Sequence, residues 1–193
     1  RFCAEKPGLV LPAEGAPLVF ASQLAHDLVL HIAPPTGLSQ PAIDLPVAAD
    51  PAKGGLVLTQ PAPALPAGEL TGTIRGKWGF DDWTGPQFHL LASHPGGWTL
   101  AAADQSALVV GRDDTLHFEG QNTLCVDRVE EQASIGRPVK LIWKSPRPEA
   151  LDVSVPMKDA APGPVTVSIY QYGVEKPETI AMTAFSDAAS LDR

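Results

Sequence analysis

Short runs of alternating apolar and polar residues recur along this chain, each closed by proline, glycine or aspartate, and none sustains a helical apolar stripe for three turns. A strand buried on one face shows this period of two, because successive side chains point to opposite faces of a sheet. The runs are Leu18-Val19-Phe20, Asp27 to Ile32, Leu56 to Thr59, Leu70 to Arg75 and Phe88 to Leu91 in the first half. Leu108 to Val110, Thr115 to Phe118, Thr123 to Val126, Val139 to Trp143, Leu151 to Val155, Val165 to Tyr170 and Thr179 to Thr183 follow in the second. Twenty prolines and 17 glycines among 193 residues supply the punctuation, short of the ~25–30% that marks disorder. Short strands at regular intervals predict an all-β chain built as a sandwich or barrel.

Sliding the chain against itself by 95 residues aligns Gly54–Ile74 with Glu149–Ile169 without a gap, and five of the 21 positions are identical. The identities pair Leu56 with Leu151, Pro61 with Pro156, Gly68 with Gly163, Thr71 with Thr166 and Ile74 with Ile169. At the same offset Leu28-Val29-Leu30-His31 lies over Thr123-Leu124-Cys125-Val126. Two copies of about 95 residues predict two domains, 1–100 and 101–193, with the boundary in His94 to Gln105, where alternation lapses. Each copy reads strand, proline, loop, Gly turn and Thr-rich strand, clearest in VSVPMKDAAPGPVTVSIYQYG. That spacing resembles the penultimate hairpins of bacterial immunoglobulin-like and fibronectin-III-like sandwiches. The resemblance implies two tandem antiparallel β-sandwich domains of that general organisation and no particular activity. The Cys, Trp, Cys pattern of true immunoglobulin domains is missing, although Trp143 sits on a strand as a core tryptophan does.

The copies differ most after this shared hairpin. Eleven residues, RGKWGFDDWTG, separate Ile74 from Pro86, whereas seven, YQYGVEK, separate Ile169 from Pro177. The first domain therefore carries an expected hairpin loop, 75–85, holding Trp78, Phe80, Asp81, Asp82 and Trp83. Aromatic faces beside carboxylates suit sugars, whose C–H faces stack on rings while their hydroxyls donate to acids. The competing expectation is structural: Trp78 and Phe80 complete the core and Trp83 seals an interdomain or partner contact. With only four tryptophans, two tyrosines and six phenylalanines in the chain, core duty is the better reading.

Charge and motifs narrow the function classes. A net charge of −8, with no run of Lys or Arg, excludes the basic face a nucleic-acid binder needs and disfavours anionic membrane surfaces. No apolar stretch reaches the ~18–20 residues of a membrane span. Cys3 and Cys125, the only cysteines, either pair in a disulfide, implying an oxidising compartment, or stand as two thiols with Cys125 in an apolar run. His26 and His31, like His89 and His94, are five apart and fall on opposite faces of a strand, so neither pair chelates. Asp113, Asp114 and His117 read as a solvated turn and a strand histidine, and no EF-hand spacing is present. Nucleophile elbows, phosphate-binding loops and zinc-protease motifs are absent, and adjacent Asp81 and Asp82 do not span the ~5–10 Å of a glycosidase pair. The chain thus reads as a non-catalytic binding or spacer module of a larger exported, bacterial-type protein. It is expected in the periplasm, outside the cell or at its surface, without cofactor or metal, meeting a protein partner or other domains of the parent chain. The alternative is a carbohydrate-binding module using residues 78–83.

Overall fold

The computed structural model describes residues 1–13, 20–35, 37 and 39–187. It divides into two compact units, Arg1–Ala92 and Ser93–Arg193. The division falls ahead of the 100/101 boundary read from the sequence, because Trp98 and Leu100 pack in the core of the second unit. Leu18 and Val19, and most of the tail after Ser186, lie outside the described residues.

In the first unit the strands are β1 (Phe2–Cys3), β2 (Val10–Pro12), β3 (Ala25–Ala33), β4 (Ile43–Asp50), β5 (Gly55–Leu58), β6 (Gly68–Trp78) and β7 (Asp81–Ala92). Their order is β1-β7-β6-β3-β4-β5-β2, antiparallel except that β1 runs parallel to β7. Ile43 to Pro46 pair with β3, whereas Val47 to Asp50 pair with β5, so β4 passes from one sheet to the other at Pro46. The Pro46 carbonyl at this crossing accepts from the Thr59 amide at 3.0 Å and its hydroxyl at 3.1 Å. Leu30, Leu70, Ile74 and Leu90 from one sheet meet Leu11, Val47 and Leu56 from the other in a single core.

The second unit contains β8 (Thr99–Leu100), β9 (Asp114–Glu119), β10 (Val126–Ala133), β11 (Val139–Lys140), β12 (Ile142–Arg147), β13 (Ala150–Val155), β14 (Gly163–Gln171) and β15 (Glu178–Ala184). One sheet runs β12-β13-β9-β8 and the other β11-β10-β14-β15. Lettered A, B, C, C′, D, E, F, G in chain order, these are the DEBA and C′CFG sheets of an immunoglobulin-like sandwich. The first unit repeats the scheme, with β2-β5-β4 as B, E, D and β4-β3-β6-β7 as C′, C, F, G, except that its first strand, β1, joins β7 in parallel instead of β2. Phe118, Leu151, Val153, Val167 and Ile169 are wholly buried between the sheets of the second unit. Both units are antiparallel β-sandwiches, as the alternation predicts.

The 95-residue repeat has a structural meaning. β5 and β13 begin at Gly55 and Ala150, and β6 and β14 at Gly68 and Gly163, each pair 95 apart. Gly68 and Gly163 both hold positive φ, +106° and +141°, which explains a shared glycine at the strand entry. The upstream match does not hold. Leu30 pairs with Ile74 and Val129 with Ile169, so Leu30 corresponds to Val129, an offset of 99.

Candidate functional site

Residues 75–85 form no loop. They are the outer part of the β6–β7 hairpin, whose strands continue in register to Trp78↔Asp81 and leave only Gly79 and Phe80 as the turn. Gly79 has φ +61°, as a two-residue turn with glycine first requires. Its N–H donates to the Leu24 carbonyl at 2.7 Å, and its own carbonyl lies 3.0 Å from His26 Nε2. On one face Lys77 opposes Asp82 and pairs with it.

Two bulges shape the arm. Thr73 pairs with Gln87 but Arg75 with Thr84, so Gly85 and Pro86 together oppose Ile74. Proline, lacking an N–H, fits where the ladder is already broken. On β3, Asp27 and Leu28 together oppose Gly76, and Asp27 takes the left-handed φ of +51°. A Cβ on Gly76 would stand 2.7 Å from Leu28 Cδ2 and 2.9 Å from the His26 carbonyl, so β6 crosses the bulge only as glycine.

Period-two alternation puts Leu70, Ile74, Gly76 and Trp78 on the core-facing side of β6. Trp83 is the cross-strand partner of Gly76 and shares that side. Beneath the two tryptophans lies a cavity of about 520 Å³, lined also by Phe2, Leu28, Ile74 and Phe88. Every lining residue is apolar. The expectation that Trp78 and Phe80 complete the core is overturned: Trp78 is 45% exposed, Phe80 103% and Trp83 39%, with Leu24 exposed beside them. The arm extends past the last core layer, so its inward face overhangs the sandwich. Asp81 opposes Trp78 while Asp82 opposes Lys77, which sends the two carboxylates to opposite faces.

The other residues singled out by the sequence serve structure. Trp98, 3% exposed, sits in the core of the second unit and donates from Nε1 to Gln171 Oε1 at 3.1 Å. Each histidine has a partner in its own unit, His31 with Asp44 at 2.6 Å, His89 with Glu69 at 2.9 Å and His117 with Asp104 at 2.8 Å among them. Among the described residues no three His, Cys, Asp or Glu side chains are grouped to hold a metal ion. Cys3 and Cys125 are both buried and neither is a free thiol. The apolar cavity is not legible in the sequence because its lining comes from six strands and the segments at Ala13 and Phe20.

No protein-family model and no curated protein matches the chain. Among solved structures, the titin immunoglobulin tandem A164–A165 is similar at 8% identity and a TM-score of 0.33, over 86% of this chain and 83% of that one. A chimeric titin Z1Z2-Z1Z2 tandem gives 15% identity and a TM-score of 0.31, over 83% and 85%. A Bacteroides ovatus mixed-linkage glucan utilisation protein, SGBP-B, solved with a mixed-linkage heptasaccharide, gives 10% identity and a TM-score of 0.29, over 97% of this chain and 42% of that one.

Proposed function

We propose that the chain is a non-catalytic protein-binding module of a larger exported protein, and that the β6–β7 hairpin of its first unit is the contact surface. The observation that carries this reading is the exposure of Trp78, Phe80 and Trp83, within six positions, on an arm that extends past the core. Contiguous apolar patches rimmed by polar groups mark interaction sites, and large aromatic side chains anchor them. Lys77, Asp81 and Asp82 supply the rim. A spacer alone gives Phe80 no reason to be aromatic.

A second reading, carbohydrate binding, is favoured by Trp78 standing opposite Asp81. It ranks below protein contact because the cavity beneath the rings offers no polar side chain to sugar hydroxyls and Asp82 is engaged by Lys77. Location in the periplasm, outside the cell or at its surface rests on pairing of Cys3 with Cys125, which a reducing cytosol does not sustain.

A photo-cross-linking amino acid placed at Phe80 in the producing cells tests the reading, with Glu175, in a turn of the second unit, as the control position. A discrete protein adduct from position 80 and none from 175 is the expected result. Equal labelling from both positions overturns the protein-contact reading. Binding to a glycan array that disappears in Trp83→Ala transfers the site to carbohydrate.

A further inference from the structure

We infer that the outer edge of β7 is a strand-addition site: an extended partner segment, apolar and basic in alternation, pairs with it in parallel and buries its apolar side chains in the cavity below Trp83. This rests on the reading of the hairpin as a protein-contact surface and names how the partner is held.

The backbone supplies the first argument. β7 is paired along one side by β6, but on its other side β1 reaches only Leu90 and Leu91. Among the described residues no other strand pairs with it. The Ala4 N–H donates to the Leu91 carbonyl at 2.9 Å, so Leu91 turns its backbone toward that edge. By strand alternation His89 and Gln87 turn theirs the same way, and their N–H groups lie outside the short register of β1. Asp81 to Thr84, Pro86, Gln87 and His89 are all exposed. An unpaired edge of this length is a template for another strand, and main-chain bonds to such an edge supply affinity in many peptide complexes.

The chain itself shows what a strand on this edge does. β1 lies there in parallel, and its Phe2 side chain enters the cavity wall, meeting Phe88 edge to face at 5.9 Å and 87°. A segment following the same line brings its alternate side chains past Pro86 and Trp83, which also line the cavity. The cavity, about 520 Å³, falls within the ~300–1,000 Å³ of ligand sites. Its apolar lining favours aliphatic or aromatic groups, since a polar group buried there without a partner loses its hydrogen bonds to water. Asp82, on the face turned away from the cavity, and the net charge of −8 favour Lys or Arg at the intervening positions.

Hydrogen–deuterium exchange on the full chain, with a synthetic peptide of alternating Val and Lys as the probe, tests the site. Saturable binding that slows exchange at the Gln87 and His89 amides is expected. The same peptide N-methylated on alternate amides should bind roughly tenfold more weakly. Trp83→Ala should weaken the unmodified peptide by a similar factor, and the methylated peptide keeps the test valid if that variant unfolds. Absence of saturable binding overturns the inference. Protection confined to Trp78 and Phe80 also overturns it, while leaving the contact surface of the previous section standing. Self-association that protects Gln87 and His89 without peptide makes a second copy the occupant and overturns it as well.

Discussion

His26 holds the turn of the aromatic hairpin through both of its ring nitrogens. Nδ1 lies 2.9 Å from Asp27 Oδ2 and Nε2 3.0 Å from the Gly79 carbonyl, and both of those are acceptors. A neutral imidazole donates from one nitrogen only, so the pair is satisfied together by the imidazolium. The Gly79 carbonyl first, and Asp27 second, hold the His26 pKa above its ordinary 6.5. A raised folded-state pKa gives a stabilising contribution that is complete below the unfolded value and is lost as pH rises through the folded one. An NMR titration of His26 should therefore show a midpoint above 6.5, with exchange at the hairpin turn quickening above that midpoint. A midpoint at or below 6.5 refutes this clamp. At this scale the sequence groups five residues on one hairpin but misjudges the burial of Trp78 and Phe80. An aromatic residue near a strand end reads alike whether the strand stops at the core or continues beyond it. His26 was legible only as half of a failed metal pair, since its partner Gly79 is 53 positions away.

Individual strands were legible where alternation was clean and illegible where a special residue broke it. β4, Ile43–Asp50, went unrecognised because Pro46 interrupts it, and the structure shows why proline belongs there: the strand leaves one sheet for the other at that residue. β10 was placed early, at Thr123–Val126, because Thr123–Cys125 is an apolar 3₁₀ turn whereas the true strand, Val126–Ala133, carries five polar or charged residues. Only Val126 and Val129 of that strand reach full burial. Val109 makes an isolated bridge to Phe185, so Leu108 to Val110 is no strand of its own. The outer hairpin reads as a loop because glycines at 76, 79 and 85 are common turn residues, whereas two of them serve strand geometry. Gly76 tests whether the arm is fixed against β3. Gly76→Ala forces Leu28 and the β3 backbone to move, and overpacking of this kind should lower stability by about 1–3 kcal/mol in urea unfolding. Unchanged stability would mean that the arm is not held against the β3 bulge.

Across the whole molecule, one architectural plan is used twice, and that plan was readable in advance through the five identities at an offset of 95. These fall on β5, β6 and the connection between them, where side-chain burial and a positive-φ glycine restrict the choice of residue together. Elsewhere the units share strand order without sharing residues, because many apolar combinations fill a sandwich core equally well. Pairing of Cys3 with Cys125 would close a loop of more than 120 residues, worth about 4–5 kcal/mol in the chain-entropy model. Thiol titration of the denatured, unreduced chain should then find essentially no thiol, and two after reduction; two before reduction would exclude the bridge. The parallel contact of β1 with β7 carries a different consequence, a mechanical one. These strands open and close the first unit, so tension that draws its two ends apart drags them in opposite senses along their own axes. The hydrogen bonds joining them are loaded side by side in shear, where an antiparallel pair drawn from one end would unzip bond by bond. In a chain under load with its cysteines reduced, the short strand at Phe2–Cys3 is the catch that must slip before the rest of the sheet feels the force.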